Sequence, residues 1–337
     1  MMNENICWYY KSNINPWPNI PTTDTNQKEW SKYRDIEIDL IEEAYQKNES
    51  YVLLDRYRID LKQFIQIKLT DETKQRPIKR QTDSTKKECL REYRFGSSIP
   101  LISDRSLASL SYGSSDCWCP FLTAWLKSSA GQQAFIHFTK CIEACAQGIV
   151  REAALYGNHS NAEAAYMAEK IRQCSNKSRV EISKQCISFY TKDSFLYYAL
   201  NEALRKQDHT KIETFGPLCY LIRNYSCLEQ DYIGIVYRGL QLDYTDIEVY
   251  KQDIGQWKTW PAFTSTSKDR QLAEMFGNTL IIIEVTKVKL SSPRAYDIAH
   301  ISNYPHEQEV LMPAGVSFQI LKVEQDLSQK YIIYIKV

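Results

Sequence analysis

The sequence predicts an α+β protein of about two domains, and three observations indicate this class. Short runs of apolar residues occur before residue 80, helical spacing dominates between residues 101 and 230, and β-rich runs follow residue 233. The chain has 337 residues, whereas single domains usually have roughly 100–200. We therefore expect domains at 1–80 and 101–337, joined by a polar linker at 81–100.

The elements of the first domain follow from short sequence patterns. Helical spacing of Ile41, Ala44 and Tyr45 predicts one helix, with acidic residues near its start. Apolar runs at 51–54, 57–61 and 64–69 predict strands. We expect a turn at 71–74 and a closing edge strand at 77–80. The result is a small twisted sheet with one helix.

The second domain begins with predicted helices and ends with predicted strands. One buried helical stripe is predicted from the 3–4 spacing of Phe135, Phe138, Ile142, Cys145 and Ile149. Further helices are predicted at 161–173, at 194–206 and from residue 217, where a proline follows a glycine. Strands are predicted at 233–238, 261–266, 279–287, 308–312, 316–323 and 331–337, with a short helix at 269–276.

The composition narrows the class of protein. Hydrophobic residues make up 43% and charged residues 25%, which argues against disorder and coiled coil. The net charge is only +1, so we expect no direct DNA binding, which usually needs a basic excess. No run approaches the roughly 20 apolar residues of a membrane span, and the N-terminal segment lacks a signal-peptide core. We expect a cytoplasmic or nuclear protein that is neither secreted nor membrane-bound.

The cysteines and histidines do not form a recognisable metal or disulfide pattern. Ten cysteines are spaced irregularly without a CxxC pair, and there are only five histidines. This density is low for a disulfide scaffold. We interpret the cysteines as buried free thiols, with structural zinc as the alternative, and expect no metal cofactor.

Three short motifs in the C-terminal half lie on or beside predicted strands. In chain order they are Tyr237-Arg238-Gly239, Phe263-Thr264-Ser265-Thr266-Ser267 and Glu307-Gln308-Glu309. Each motif alone is common, since an arginine at a strand end is usually a surface ion pair. Together they resemble the arginine-specific mono-ADP-ribosyltransferases, whose motifs are Arg, Ser-Thr-Ser and Glu-x-Glu. The resemblance covers 180–337 well, and it implies a helical subdomain followed by a β-sandwich core that binds NAD.

The reaction that the resemblance implies explains why each of these residue types is present. The planar fork of Arg238 can pair with the phosphates of NAD, which acts as a co-substrate. Breaking the nicotinamide–ribose bond builds positive charge at the anomeric carbon, which a carboxylate stabilises. The resemblance assigns this role to Glu309, which would also hydrogen-bond the ribose 2′-hydroxyl. It implies that Ser265 holds Glu309 and the nicotinamide ribose in place. Phe276 either stacks on nicotinamide or packs in a core. The other implied NAD contacts are Gly239, Thr266 and Ser267.

The first glutamate of the pair has a different implied role. Glu307 should face the same way as Glu309, because alternate residues of a strand share a face. Two carboxylates on one face repel each other, and an acceptor guanidinium would relieve this repulsion. The resemblance implies that Glu307 selects arginine; a solvated strand face is the alternative. We expect residues 296–306, hereafter the acceptor loop, to be mobile, with Tyr304 as a candidate substrate contact.

The N-terminal domain carries a second resemblance. Trp8, Trp30 and Glu42 resemble the three residues that name the WWE domain, many of which bind the iso-ADP-ribose unit of poly-ADP-ribose. We expect Trp8 and Trp30 to be core residues and Glu42 to be structural. Tyr57 and Gln66 could alternatively be ordinary strand residues. The implied reader residues are Tyr33, Tyr57, Gln66, Arg76 and Lys79.

The sequence therefore predicts an enzyme that moves ADP-ribose from NAD to protein arginine and releases nicotinamide. Its WWE domain would direct it to poly-ADP-ribose or to ADP-ribosylated proteins. Two alternatives remain open, a catalytically silent ADP-ribose-binding protein and an NAD glycohydrolase. A polymerase is disfavoured, because polymer-forming relatives carry a His-Tyr-Glu set where this chain has Arg-Ser-Glu.

Overall fold

The computed structural model describes residues 6–13, 29–82, 102–103, 119–157, 161–226, 232–287 and 294–337. The described residues form an α+β protein with an N-terminal sheet domain, a helical subdomain and a C-terminal sheet. Nearly all of the predicted linker at 81–100 lies outside the described residues.

The N-terminal domain is an antiparallel sheet with one helix. The six strands that the structure describes here are ordered β2-β1-β6-β5-β4-β3. They are β1 (Ile6–Lys11), β2 (Trp30–Lys32), β3 (Tyr51–Leu53), β4 (Tyr57–Asp60), β5 (Ile65–Lys68) and β6 (Asp71–Thr82), with helix α1 (Asp35–Gln46) after β2.

Strand β6 differs from its prediction. The expected turn at 71–74 and edge strand at 77–80 are wrong, because both belong to one strand between β1 and β5. Pro77 pairs with Ile65 at the end of the ladder to β5, and β1 pairs with β6 from Ile78 onward. A proline, which lacks an N–H donor, is tolerated here because β6 changes partners at this position.

Helix α1 begins earlier than its apolar spacing suggested. The carboxylate of Glu37 accepts a hydrogen bond from the Arg34 N–H at 3.0 Å, which closes the first turn. Asp35 and Glu37 therefore occupy the first turn, where negative charge is favourable. The acidic residues at 39, 42 and 43, expected near the helix start, lie in its interior.

Seven described helices form the helical subdomain. They are α2 (Pro120–Lys127), α3 (Ser129–Ile136), α4 (Phe138–Tyr156), α5 (Asn161–Gln173), α6 (Arg179–Thr191), α7 (Phe195–Lys206) and α8 (Ile212–Ser226). The predictions at 161–173 and 194–206 are confirmed to within one residue. Helix α6 was not predicted as an element.

Two helical predictions are wrong. The single stripe is broken at His137, whose extended backbone separates α3 from α4, and Phe135 on α3 is 65% exposed. Ile142 and Ile149 on α4 are buried as expected. Pro217 lies inside α8 rather than at its start. Gly216 permits close packing there, since a Cβ would lie 2.3 Å from the Trp125 ring.

The C-terminal sheet has nine strands among the described residues, ordered β12-β13-β10-β8-β11-β15-β14-β9-β7. They are β7 (Ile102–Ser103), β8 (Gly234–Leu240), β9 (Trp257–Trp260), β10 (Thr264–Ser267), β11 (Thr279–Val285), β12 (Tyr296–Asp297), β13 (Glu309–Met312), β14 (Val316–Gln325) and β15 (Tyr331–Lys336). Two α-helices lie along the chain between strands β8 and β11, namely α9 (Tyr244–Gln252) and α10 (Arg270–Glu274). Strands β7, β9 and β12 and helix α9 were not predicted.

The two domains pack against each other through helix α1. Ile36 on α1 is fully buried and belongs to the apolar core of the helical subdomain. Two pairs of acidic and basic side chains surround this contact: Arg34 with Glu163 at 3.2 Å and Glu43 with Lys170 at 2.7 Å. The N-terminal domain is therefore part of the packing of the transferase-like half.

Candidate active site

Neighbouring strands bring the three sequence motifs together. Strand β10 pairs antiparallel with β13, with Ser265 opposite Leu311 and Ser267 opposite Glu309. Strand β8 meets β10 where Tyr237 lies opposite Ser267. Alternate residues of a strand share a face, so Ser265 and Ser267 lie on the face of Glu309. The predicted Arg, Ser-Thr-Ser and Glu-x-Glu motifs thus converge on one part of the sheet.

Arg238 is buried, with 2% of its surface exposed, inside strand β8 rather than at its end. Its Nη1 donates a hydrogen bond to the carbonyl oxygen of Ser265 at 2.7 Å. Burial lowers the pKa of the Arg238 guanidinium, while Tyr197 and Tyr190 of the helical subdomain act in the opposite direction. Arg238 therefore fixes β10 beneath the site, in addition to any role toward phosphates.

The hydroxyl groups of strand β10 bind the strand that carries Glu309. Thr266 Oγ1 donates to the carbonyl oxygen of Val310 at 2.7 Å. Ser267 Oγ donates to the carbonyl oxygen of Glu307 at 2.7 Å and accepts from the Asp269 N–H. These bonds position both glutamates relative to β10.

The two glutamates are both fully buried, but not by the route that was expected. Glu307 ends a 3-10 turn, Pro305–Glu307, and Gln308 has a left-handed backbone with φ of 46°. Strand β13 begins only at Glu309, so strand alternation does not relate the pair. A tight turn places Glu307 beside the strand instead.

Gly239 and Phe276, both expected at NAD, have packing roles. A Cβ at Gly239 would lie 1.9 Å from the carbonyl oxygen of Ala273, so helix α10 requires glycine at this position of β8. Phe276 is 4% exposed and packs with Leu272. This contact favours the core interpretation of Phe276 over nicotinamide stacking.

The acceptor loop is held by several hydrogen bonds. It begins with strand β12, which pairs with β13. Ser302 Oγ donates to Glu309 Oε2 at 3.5 Å, and the Asn303 amide donates to Ser188 O and Thr191 Oγ1, each at 3.0 Å. Tyr304 is 8% exposed, and its hydroxyl donates to Asp35 Oδ2 of the N-terminal domain at 2.7 Å. Ser302, Asn303 and Asp35 carried no functional signal in the sequence.

The predicted reader residues lie on one domain, but two of them bind each other. The Tyr33 hydroxyl donates to Gln66 Oε1 at 2.6 Å, and both side chains are buried. Burial raises the pKa of Tyr33. Arg76 Nη1 donates to the carbonyl oxygens of Lys11 and Asn13 at 2.7 and 2.8 Å.

The remaining reader residues are more accessible. Lys79 Nζ lies 4.5 Å from the ring centroid of Trp30, and Tyr57 is half-buried. Trp30 is also half-buried, so it is not the core residue that was expected. Trp8 and Glu42 are structural as predicted: Trp8 Nε1 donates to Glu42 at 2.9 Å, and Arg80 makes two hydrogen bonds to the same carboxylate.

The described parts of the chain contain neither a metal-ligand cluster nor a membrane-spanning helix. Among these residues, no group of three or more His, Cys, Asp or Glu side chains is arranged to hold a metal ion. No helix in the described ranges has the length and apolar character to cross a bilayer. Seven cysteines in the described part of the chain have buried side chains: Cys7, Cys119, Cys141, Cys145, Cys174, Cys186 and Cys219.

Two family models match the chain in the order that the sequence motifs suggested. The model for NAD:arginine ADP-ribosyltransferases matches residues 151–336, which is more than half of the chain. The WWE domain model matches residues 6–80. Both matches fall on the parts of the fold that carry the predicted site residues.

Individual proteins give shorter or more distant similarities. The putative NAD(+)--arginine ADP-ribosyltransferase Mav of Mycobacterium avium (strain 104) is 35% identical over 98 residues, which are 28% of this chain and only 11% of Mav. HopU1 of Pseudomonas syringae pv. Tomato DC3000 is 18% identical with a TM-score of 0.40, covering 51% of this chain and 82% of HopU1. The effector XopAI of Xanthomonas axonopodis pv. citri is 16% identical with a TM-score of 0.42, covering 64% of this chain and 95% of XopAI.

Proposed function

The chain belongs to the NAD:arginine ADP-ribosyltransferase family, and from this premise we propose that it transfers ADP-ribose from NAD to arginine side chains of proteins. The observation that supports this most is the register of β10 and β13, which places Ser265 and Ser267 on the face of Glu309. Arg238, bonded to the Ser265 carbonyl oxygen, adjoins them with a charge suited to phosphate.

The reaction breaks the bond between the nicotinamide nitrogen and the ribose anomeric carbon. Nicotinamide leaves with the bonding electron pair, and the carboxylate of Glu309 stabilises the positive charge that develops on the ribose. A guanidinium nitrogen of the acceptor arginine then forms the new bond to the anomeric carbon. Glu307 holds this guanidinium through hydrogen bonds and takes the proton that it releases.

The direct experiment measures transfer of labelled ADP-ribose from NAD to polyarginine by the full chain. Polylysine serves as the matched acceptor control, because it carries the same charge without the guanidinium fork. Transfer to polyarginine alone supports the proposal. Release of free ADP-ribose that added arginine does not change would instead identify an NAD glycohydrolase. A folded chain with neither activity would be a silent ADP-ribose-binding protein.

We infer further that the WWE domain binds ADP-ribose units of poly-ADP-ribose or of modified proteins. Lys79 over Trp30 and the half-buried Arg76 and Tyr57 offer cationic and aromatic groups for phosphates and a base. Such binding would raise the local concentration of the enzyme at modified targets.

This targeting role is testable by substitution rather than by deletion. Removing residues 1–80 would expose the core around Ile36, so loss of activity would not report on the reader. Lys79→Ala should weaken polymer binding and modification of polymer-bearing proteins, and leave polyarginine transfer unchanged. Lys62→Ala, at an exposed position of the same domain, is the control. Equal modification of polymer-bearing proteins by the unmodified chain and by both variants would contradict targeting by the WWE domain.

A further inference from the structure

The groups proposed to act on NAD are covered in this structure. Glu307 and Glu309 are 0% exposed, and Arg238 and Ser265 are each 2% exposed. NAD and an acceptor arginine must both reach these side chains for transfer to occur. The conformation described here therefore has to open before the reaction.

Part of the cover is the acceptor loop. Ser302, in this loop, directs its hydroxyl at Glu309 Oε2 from 3.5 Å. This is the carboxylate that the proposed function places at the developing charge of the NAD ribose. Ser302 Oγ in turn accepts a hydrogen bond from the Tyr304 N–H at 3.1 Å. The loop thus places a hydroxyl of the chain itself against the catalytic carboxylate.

The N-terminal domain holds the other end of this hydrogen-bonded chain. The Tyr304 hydroxyl donates to Asp35 Oδ2 at 2.7 Å, and the same oxygen accepts the Asp193 N–H at 2.7 Å. Three hydrogen bonds therefore connect Asp35, Tyr304, Ser302 and Glu309 in sequence. The bond to Asp35 is charge-assisted, which makes it stronger than a bond between neutral groups.

A second set of contacts fixes the support of the loop. The Asn303 amide binds Thr191 at the end of α6. The next residue, Lys192, pairs with Asp39 of α1 at 2.8 Å. Helix α1 thus contacts both the acceptor loop and the α6–α7 connection on which the loop rests.

We propose that helix α1 of the WWE domain is an autoinhibitory element for the transferase. Asp35 holds Tyr304, and thereby keeps the acceptor loop over Glu309. This inference rests on the proposed function, and extends it, because the WWE domain then controls access to the catalytic site as well as its location. It also explains why Tyr304, a candidate acceptor contact, is buried: it becomes available to substrate only after it leaves Asp35.

The test compares Tyr304→Phe and Asp35→Ala with the unmodified full chain. Nicotinamide release from NAD without acceptor reports on access to Glu309. Amide hydrogen exchange of residues 296–308 reports on the loop independently of activity. We expect both variants to exchange faster in this segment and to release nicotinamide about tenfold faster, the size expected for one hydrogen bond to a charged group. The double variant should gain no more than either single variant.

Glu43→Gln is the matched control. Glu43 lies on α1, as Asp35 does, and the substitution removes its 2.7 Å ion pair with Lys170 of α5 without touching the loop. Loop exchange and nicotinamide release should stay unchanged in this variant. Unfolding temperatures of all four variants show that each remains folded.

The outcomes separate the two proposals. Unchanged hydrogen exchange of the acceptor loop in Tyr304→Phe and Asp35→Ala overturns autoinhibition. Faster exchange together with slower nicotinamide release also overturns it, because the contact would then position the loop for catalysis. An equal effect of Glu43→Gln overturns the specific role of Asp35. Faster exchange without nicotinamide release in any chain would support the loop contact and refute the transferase function instead.

Discussion

Two regions of this molecule were predicted to bind parts of ADP-ribose, and they satisfy their polar groups in different ways. In the WWE domain, Gln66 accepts a 2.6 Å hydrogen bond from Tyr33, a buried side chain of the same domain. In the transferase half, Glu309 is approached at 3.5 Å by Ser302, whose loop is tied to another domain. Tyr33 and Gln66 belong to the core of one domain. At Glu309, by contrast, a ligand hydroxyl can take the place of Ser302.

Glu309→Gln should have the largest effect, and it tests the catalytic side of this comparison. Removing the carboxylate charge should lower nicotinamide release by about 10³-fold, the size seen when electrostatic stabilisation of a transition state is lost. Glu284→Gln on strand β11 is the control, since that glutamate is 51% exposed and its strand pairs with β8 rather than with β13. Near-normal release by Glu309→Gln would remove this carboxylate from the mechanism.

Glu307→Gln separates the two glutamates. We expect transfer to polyarginine to fall by about 10²-fold, because the variant loses the anionic partner of the guanidinium. Nicotinamide release without acceptor should persist, since Glu309 remains. The two rates are measured side by side in one preparation. Arginine transfer that continues at the normal rate would show that Glu307 does not select the acceptor.

Glu163 lies between the two regions and gives a pH-dependent prediction. Burial raises its pKa from 4.5 to about 8; Glu37 and Asp193 add to this, and burial outweighs the opposing ion pair with Arg34. The folded state therefore holds a proton that the unfolded state has released between these pH values. Stability contributed by Glu163 is present at low pH and is lost as pH rises through about 8.

Glu163→Gln should accordingly raise the free energy of unfolding at pH 9 by about 2 kcal/mol relative to the unmodified chain. At pH 5 the two chains should differ little, because Glu163 is already neutral in the folded state. Urea unfolding at both pH values measures this difference. An equal effect of the substitution at pH 5 and pH 9 would show that the Glu163 carboxylate is not protonated in the fold.

Tyr33→Phe tests the reader side and should have the smallest effect. Loss of the buried hydroxyl leaves Gln66 without this donor, which should cost about 1 kcal/mol of stability. Nicotinamide release should not change. Tyr51→Phe, with Tyr51 53% exposed, is the control in thermal unfolding. A large loss of transferase activity in Tyr33→Phe would show that the core of the WWE domain and the catalytic site are not independent.

Patterns within one strand or helix were predictable from the sequence. The 161–173 helix follows from spacing, whereas the convergence of Arg238, Ser265 and Glu309 was implied by the resemblance of their motifs to the transferase family. Local spacing also predicted that Glu307 and Glu309 share one strand face. The basis of this prediction is wrong, because Glu307 lies in a 3-10 turn and a left-handed Gln308 separates it from strand β13. Non-glycine residues rarely adopt this conformation, and nothing in the sequence signals it here.

Features that depend on contacts between distant segments were not predictable. Pro77 indicated an edge strand, yet β6 is central because it exchanges one partner strand for another at that residue. Asp35 carried no signal beyond a helix start, although it binds Tyr304, which is 269 residues away. Likewise, the resemblance implied that Gly239 contacts NAD, whereas the structure shows that the close approach of the Ala273 carbonyl oxygen requires a glycine at this position. Tertiary contacts decide these positions.

The central claim is that this chain attaches ADP-ribose to arginine. The most direct measurement is fragmentation mass spectrometry of an acceptor protein after incubation with NAD and the full chain, in parallel with Glu309→Gln. We expect ADP-ribose on arginine guanidinium groups in the first sample and none in the second. Modification of a different side chain, or equal modification by Glu309→Gln, would contradict it.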